Sequence, residues 1–305
     1  MDKKRILVTC PRVDTNIDDF KRLFDKKGFD YKFSYPENQQ HNSLEINELL
    51  NNISIAIVGD DEINQNVLNS SAGLNYIIKW GSGTDNIDKK SAEINGIQIF
   101  NTPNILGKYV AEYGLGLLLS LIKQITKTDR EVRKNNWYKN ENFTLYNSKI
   151  GFFGFGDVAS EFSKLLTPFS TTITYCDIQE KECSFEKLSF ERLLEHNDII
   201  VVTSNLTDQN KNIFDKNAFK KMGQNSYLVN ISRGGLINEK DLQQALVNYE
   251  IRGAALDVFA SEPLAKNNQF KSLGNVLLGT HNASNVLRAN IEVNEYILKL
   301  MEKIL

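Results

Sequence analysis

The stretch Lys149–Ser160, KIGFFGFGDVAS, carries residue types at a spacing that can hold a dinucleotide. Gly154, Gly156 and Ala159 fill the small positions of a G-x-G-x-x-G/A turn. The first permits the tight turn, the second lets backbone approach a pyrophosphate, and the third lets the following helix lie close on its strand. Gly154, Phe155, Gly156, Asp157 and Val158 then surround the phosphates, with the N–H groups of the helix start as donors. Asp177 comes roughly 20 residues later, at the end of TTITYCD, where a carboxylate accepts both ribose hydroxyls. Such an acid repels a 2′-phosphate, and Ile178, Gln179 and Glu180 bring no positive charge to hold one. The pattern points to NAD and away from NADP.

A turn of this kind works only between a strand and a helix, and the surrounding sequence supplies both. Ile150–Phe153 reads as a buried strand, Asp157–Leu166 as a helix and Thr172–Cys176 as the next strand. Ile199–Thr203, Tyr227–Asn230, Gly253–Asp257 and Val276–Leu278 continue the series, with helices such as Phe190–Glu195 and Glu239–Asn248 between them. The same alternation opens the chain: strands at 5–9, Phe29–Tyr35, Ile53–Val58, Leu74–Lys79 and Ile97–Phe100 are separated by helical segments near Ile17–Phe24, Leu44–Asn51 and Ile63–Leu68. Helical periodicity then runs from Ile105 to about Lys134, and Ala289–Ile304 is a final amphipathic helix. Short apolar runs alternating with helices predict parallel sheets covered on both faces.

Composition narrows the classes. The chain has 305 residues, 41% of them hydrophobic and 24% charged, the values of a globular protein with a sizeable core. Lys and Arg total 36 against 38 acids, so there is no basic footprint for nucleic acid and no polybasic membrane patch. The N-terminal apolar run, Ile6–Val8, is too short for a secretory leader, and Tyr109–Ile125 is interrupted by Glu112 and Lys123, which fits a buried helix and no membrane span. Cys10, Cys176 and Cys183 lack metal-ligand spacing, so no metal site is expected, and a reduced, cytoplasmic compartment suits them. There are three histidines: His41 in a polar stretch, His196 at a helix end, and His281 after a strand.

Read together, seven ordered segments resemble the D-isomer-specific 2-hydroxyacid dehydrogenases, the family that includes D-3-phosphoglycerate dehydrogenase. They are KWGSGTDNID (79–88), NTPN (101–104), VAEYGLGLLLSL (110–121), GFGDVA (154–159), NISRGGLINEKDL (230–242), GAALDVFASEP (253–263) and NVLLGTHNASN (275–285). The fold this resemblance implies is α/β: two Rossmann-like doubly wound parallel-sheet domains, the cofactor domain inserted into a discontinuous substrate domain. The boundaries expected are 1–103 with 285–305 for the substrate domain and 104–284 for the NAD-binding domain. A homodimer is implied too, with Trp137–Tyr146 as an arm.

The resemblance also implies the chemistry, NAD-dependent interconversion of a D-2-hydroxy acid and its 2-oxo acid. Matched motif to motif, the catalytic arginine, glutamate and histidine are Arg233, Glu262 and His281. Oxidising the hydroxy acid removes a proton as well as a hydride, and imidazole, with an ordinary pKa near 6.5, takes or returns that proton near neutrality. A carboxylate on its other ring nitrogen fixes the tautomer, and an arginine fork holds the substrate carboxylate. Ser232, Asp257 and Thr203 fall among the family's cofactor contacts; Thr203 and Asn205 stand where relatives usually carry His and Pro. Ser82 and Gly83 belong to the loop that holds the substrate carboxylate, and Lys79 either adds charge beside it or forms a salt bridge at its strand end. Lys79 and the NTPN wording favour D-3-phosphoglycerate as the single substrate, although Gly59–Asp60–Asp61 is acidic where phosphoglycerate-specific relatives carry arginine. The competing readings are an NAD(H)-responsive corepressor-like protein and a dehydrogenase of another small molecule such as phosphite.

Overall fold

Runs of aliphatic residues form two parallel sheets in the structure, a computed structural model that describes residues 4–305. The first sheet contains β1 (Arg5–Val8), β2 (Asp30–Phe33), β3 (Ile55–Val58), β4 (Tyr76–Lys79) and β5 (Gln98–Phe100), in the order β2-β1-β3-β4-β5. All neighbours are parallel, and Val58 pairs with Lys79, which places the residues after β3 beside the end of β4. Helices α1 (Ile17–Lys27), α2 (Ser43–Leu49), α3 (Gln65–Ser70) and α4 (Lys89–Ile94) alternate with these strands. Local chemistry sets their ends. Asn42 and Glu45 form a reciprocal capping box at the start of α2. Gly28 closes α1 in the left-handed conformation at φ 72°.

This sheet belongs to a unit made of Met1–Leu106 and Asn285–Leu305; Gly107–Ser284 forms the other unit. The last helix, Leu287–Ile304, buries Ala289, Val293, Ile297 and Met301 in the first unit, and Asn294 adds a polar tie. Asn294 is fully buried, accepts from Trp80 Nε1 at 2.9 Å and donates to the Arg12 carbonyl at 3.0 Å. The Arg12 guanidinium in turn lies 4.8 Å from the centre of the Trp80 ring.

The second unit contains a sheet of seven strands: β6 (Lys149–Phe153), β7 (Thr172–Cys176), β8 (Glu186–Lys187), β9 (Ile199–Val202), β10 (Tyr227–Asn230), β11 (Gly253–Leu256) and β12 (Val276–Leu278). Their order is β12-β11-β10-β9-β6-β7-β8, again parallel throughout. The central strands β9, β10 and β11 are buried along their whole length, as strands covered on both faces must be. The two-residue edge strand β8 has no apolar residue and gives no periodic signal in the sequence.

The helical stretch expected from Ile105 to Lys134 is two helices, α5 (Gly107–Ile122) and α6 (Ile125–Arg133), broken where Gln124 adopts φ 51°. Their surroundings differ. Leu117, Leu118, Leu121 and Ile122 of α5 are buried, whereas α6 buries no residue. Continuous periodicity therefore concealed a change from a core helix to a surface helix. α7 (Asp157–Leu166) packs on α5, and Gly114 makes the approach possible because a Cβ there would lie 2.8 Å from the Phe162 ring.

The Asn294 contacts predict a measurable stability term. Replacing Asn294 with Leu leaves the Trp80 N–H and the Arg12 carbonyl buried without partners, at a cost of about 1–3 kcal/mol. Urea unfolding followed by Trp80-sensitive fluorescence should show a lower midpoint for Asn294→Leu, and an unchanged midpoint would refute the tie.

Candidate active site

The strand order of the second sheet reverses between β6 and β9, and such a switch point is where an open α/β sheet leaves a crevice at the carboxyl ends of its strands. The G-x-G-x-x-A turn lies there. Gly154 has φ 86°, and a Cβ on it would sit 2.6 Å from the Ser204 Cα, so only glycine fits. Gly156, the residue preceding α7, faces open space, with no heavy atom within 4 Å of where its Cβ would be. Ala159 is fully buried against the sheet. Phe155 packs its ring on Tyr175, and Val158 is half-buried on the first turn of α7. Thr203 closes the switch point by donating its hydroxyl to the Gly154 carbonyl at 2.6 Å. An open backbone cradle at a helix start fits a pyrophosphate.

Asp177 is held by the turn itself: Oδ2 accepts the Phe155 N–H at 2.8 Å and Oδ1 accepts the Gln179 N–H at 2.9 Å. The second bond bends the chain back, and Lys181 Nζ comes to 3.5 Å from Asp177 Oδ1. A cation thus stands beside Asp177, one residue beyond the Ile178–Glu180 run.

Asp157, the first residue of α7, accepts the Gly107 N–H, and Gly107 must be glycine because a Cβ would fall 2.1 Å from Asp157 Oδ2. Burial pushes the Asp157 carboxyl above its ordinary value, opposed by the Gly107 hydrogen bond.

The three residues assigned to catalysis lie at the ends of adjacent strands β10, β11 and β12. His281 Nδ1 is 2.7 Å from Glu262 Oε2, and the other oxygen, Oε1, accepts the Phe259 N–H at 2.8 Å. Both side chains are mostly buried, 22% and 17% exposed. His281 adopts φ 53°, and its turn is fixed from beneath by Asp257. The Asp257 carboxylate, 1% exposed, accepts the N–H groups of Asn282 at 3.1 Å and Ala283 at 3.0 Å, while its own carbonyl accepts the His281 N–H. Arg233 follows β10 and donates from Nη1 to the Ser232 carbonyl at 2.9 Å. Ser232 is fastened through both its N–H and its hydroxyl to Asn230 Oδ1. The Arg233 loop touches the Glu262 loop directly, for a Cβ on Gly234 would lie 1.9 Å from the Phe259 carbonyl carbon.

In the first unit, Gly81 turns at φ 118°, and its N–H donates to the Thr102 hydroxyl at 2.9 Å. Ser82 is exposed, its carbonyl held by Asn101 Nδ2 at 2.7 Å, and Gly83 is half-buried. Lys79 does not present an uncompensated charge: its ammonium lies 2.8 Å from Asp60 Oδ1. The feature that favoured a phosphorylated substrate is thereby neutralised. His41, assigned no role from sequence, is buried, with Nδ1 2.7 Å from Asp61 Oδ1, and the Thr9 hydroxyl donates to the same carboxylate. His196 is exposed at the end of its helix.

Comparison with known proteins decides the family. Residues 115–283 match the family model for the D-isomer specific 2-hydroxyacid dehydrogenase, NAD binding domain. The chain belongs to this family. It is 32% identical over 264 residues to a glyoxylate reductase of Thermofilum pendens, covering 81% of this chain and 78% of that protein. It is also 32% identical to the glyoxylate/hydroxypyruvate reductase HPR3 of Arabidopsis thaliana, over 75% of this chain and 72% of that protein. Among solved structures, D-lactate dehydrogenase from Aquifex aeolicus, complexed with NAD and lactic acid, superimposes with a TM-score of 0.87 at 19% identity, covering 99% of this chain and 95% of that one. This is an NAD-binding oxidoreductase of the 2-hydroxyacid dehydrogenase family, with the α/β fold of two parallel sheets. No helix among the described residues is long and apolar enough to cross a membrane.

An acid at the start of α7 makes dinucleotide binding sensitive to pH. As the pH falls through its raised range, Asp157 loses the charge that opposes a pyrophosphate, so NADH affinity should rise toward acid. Asp157→Asn should bind NADH a few-fold more tightly near neutrality, by about 1 kcal/mol or less, with the difference shrinking as the pH falls. Fluorescence titration across that range checks both signs.

Proposed function

We propose that this protein is an NADH-dependent reductase of small, non-phosphorylated 2-oxo acids, glyoxylate and hydroxypyruvate foremost. The observation that carries the reading is the His281–Glu262 pair, 2.7 Å apart and beside the Arg233 loop, at the same sheet edge as the dinucleotide turn. Neutralisation of Lys79 by Asp60 and the glyoxylate and hydroxypyruvate reductases among the relatives support the substrate class.

Gly154, Phe155, Gly156 and Val158 would hold the pyrophosphate, and Asp177 the ribose; bound NADH supplies the hydride. His281 Nε2 gives its proton to the substrate carbonyl oxygen as the hydroxyl forms. Glu262, on Nδ1, holds the ring in position and stabilises the protonated imidazole before transfer. Phe259 N–H occupies the other glutamate oxygen, so the carboxylate cannot rotate freely. Arg233 pairs with the substrate carboxylate and polarises the carbonyl. Assembly as a homodimer belongs to this reading, with the Trp137–Tyr146 segment as the arm: Trp137 is 83% exposed and Tyr146 61% exposed, apolar side chains that a second copy would cover.

The first test is NADH consumption by the purified chain against glyoxylate, hydroxypyruvate, pyruvate and 3-phosphohydroxypyruvate. Turnover should favour the first two. His281→Asn should lower kcat by about a hundredfold to ten-thousandfold while NADH binding, read by fluorescence, persists. Unchanged turnover would remove His281 from the mechanism.

Cofactor choice is tested separately. Asp177→Ala should reduce the preference for NADH over NADPH by about tenfold, a difference of 1.4 kcal/mol, because it removes the repelling charge and releases Lys181. Adding Lys181→Ala should restore part of the preference. If both variants keep the wild-type ratio, Asp177 does not select the cofactor.

A further inference from the structure

The segment VAEYGLGLLLSL (110–121) gives no side chain to the dinucleotide turn or to the proton relay. Its helix, α5, nevertheless packs across β10, β11 and β12, the strands after which Arg233, Glu262 and His281 stand. Gly114 fixes where the helix lies: a Cβ there would come 2.7 Å from Ile231 Cδ1, just beyond β10, and 2.8 Å from the Phe162 ring on α7. The residue before it, Tyr113, is half-buried, and its hydroxyl donates to the Asp257 carboxylate. All of these residues belong to the second unit.

Asp257 is free to move only in its side chain. Its N–H donates to the Asn230 carbonyl at 2.9 Å and its carbonyl accepts the His281 N–H at 2.6 Å, so the backbone is set on both sides. Rotation of the carboxyl group is soft by comparison, because torsions of this kind have broad minima. Oδ1 must meet the Asn282 N–H and Oδ2 the Ala283 N–H at one and the same setting of that torsion. At 1% exposed the carboxylate is closed to bulk water, and a buried charge needs donors from the protein. Tyr113 supplies one from a rigid ring. Burial, and after it the Asp257 charge, favours the protonated phenol, so the hydroxyl stays a donor.

We propose that Tyr113 is a positioning residue for His281: its hydroxyl sets the Asp257 carboxylate against the Asn282 and Ala283 amides and so fixes the turn that presents the imidazole. The inference rests on the reductase reading above and adds to it a residue that acts only through Asp257. His281 stands at φ 53°, a conformation that persists where the surroundings enforce it, so a loosened Asp257 is felt at the ring. A displaced ring carries Nε2 off the line to the carbonyl oxygen that receives its proton.

The test follows a single turnover of the 2-oxo acid that the wild type reduces fastest, read by NADH absorbance. NADH affinity and the number of NADH sites are measured by fluorescence on the same preparations. Tyr113→Phe removes only the hydroxyl. It should slow the single-turnover rate per NADH site, at saturating substrate, by about tenfold to a hundredfold. NADH affinity should stay within about twofold of wild type. In the His281→Asn background the same substitution should change the residual rate by less than about twofold, because the residue it positions is gone. A role in folding alone would lower the number of NADH sites and leave the rate per site unchanged, and that outcome overturns the inference. So does an equal loss in both backgrounds. Weakened NADH affinity with the saturated rate kept would overturn it as well, by making Tyr113 a support of the cofactor. A wild-type protein that binds NADH and reduces no 2-oxo acid would overturn the reductase reading and this inference with it.

Discussion

The candidate site hangs on the buried carboxylate of Asp257. A charge 1% exposed is costly unless bonded, and this one is bonded to the turn that follows β12: the N–H groups of Asn282 and Ala283 both point at it. The Tyr113 hydroxyl of α5 joins the same group, and burial together with the Asp257 charge pushes that phenol up to about 12. Gly279 leaves room, since a Cβ on it would lie 2.2 Å from Asp257 Oδ1. With its N–H on the Asp257 carbonyl and its two following amides on the carboxylate, His281 is held at φ 53°, a conformation few side chains adopt unaided. Asp257, which the resemblance places among the cofactor contacts, also supports the turn that carries the imidazole.

The two sheets answer one topological constraint in opposite ways. Parallel strands covered on both faces expose chemistry only at their ends, and the crevice opens where strand order reverses. In the second unit that point lies between β6 and β9 and is left open, with Gly156 facing empty space and Thr203 merely bracing Gly154. In the first unit the reversal lies between β1 and β3, and the chain fills it with its own polar groups: Thr9 from β1's end, Asp61 from β3's end and His41 laid across them. The same architecture thus gives an open cradle in one unit and a packed polar cluster in the other. The filled cluster is what fixes the loop that carries Asp60.

What the sequence revealed follows from how local each signal is. The turn Gly154–Ala159, the strands on either side and the acid Asp177 sit within one βαβ unit, where spacing alone implies geometry. Arg233, Glu262 and His281 were recoverable only through motif resemblance, because adjacent strand ends, not sequence distance, bring them together. Lys181 escaped because its approach to Asp177 depends on a side-chain turn at Gln179. His41 was invisible in principle: its burial comes from partners 20 and more residues away, and the only neighbouring signal, the capping pair Asn42 and Glu45, speaks of a helix start. For Lys79 the sequence left added charge and a strand-end salt bridge both open, because the partner that decides between them lies on another strand end, 19 residues earlier.

Fixing charge before substrate arrives is the common logic of these contacts. Glu262 divides its oxygens between an amide and the imidazole, so its orientation is fixed by the protein itself. Asp177 is anchored to the turn it serves, and Asp257 to the turn it supports. In water each of these groups would be surrounded by dipoles that reorient as charge moves. Here backbone amides already point the required way, and a preorganised donor stabilises developing charge without reorganising during the reaction. The backbone can do this because Gly154, Gly234 and Gly279 lack the Cβ atoms that would force the loops apart. Glycine placement is therefore what lets these loops come close enough for their charged groups to be held in fixed positions.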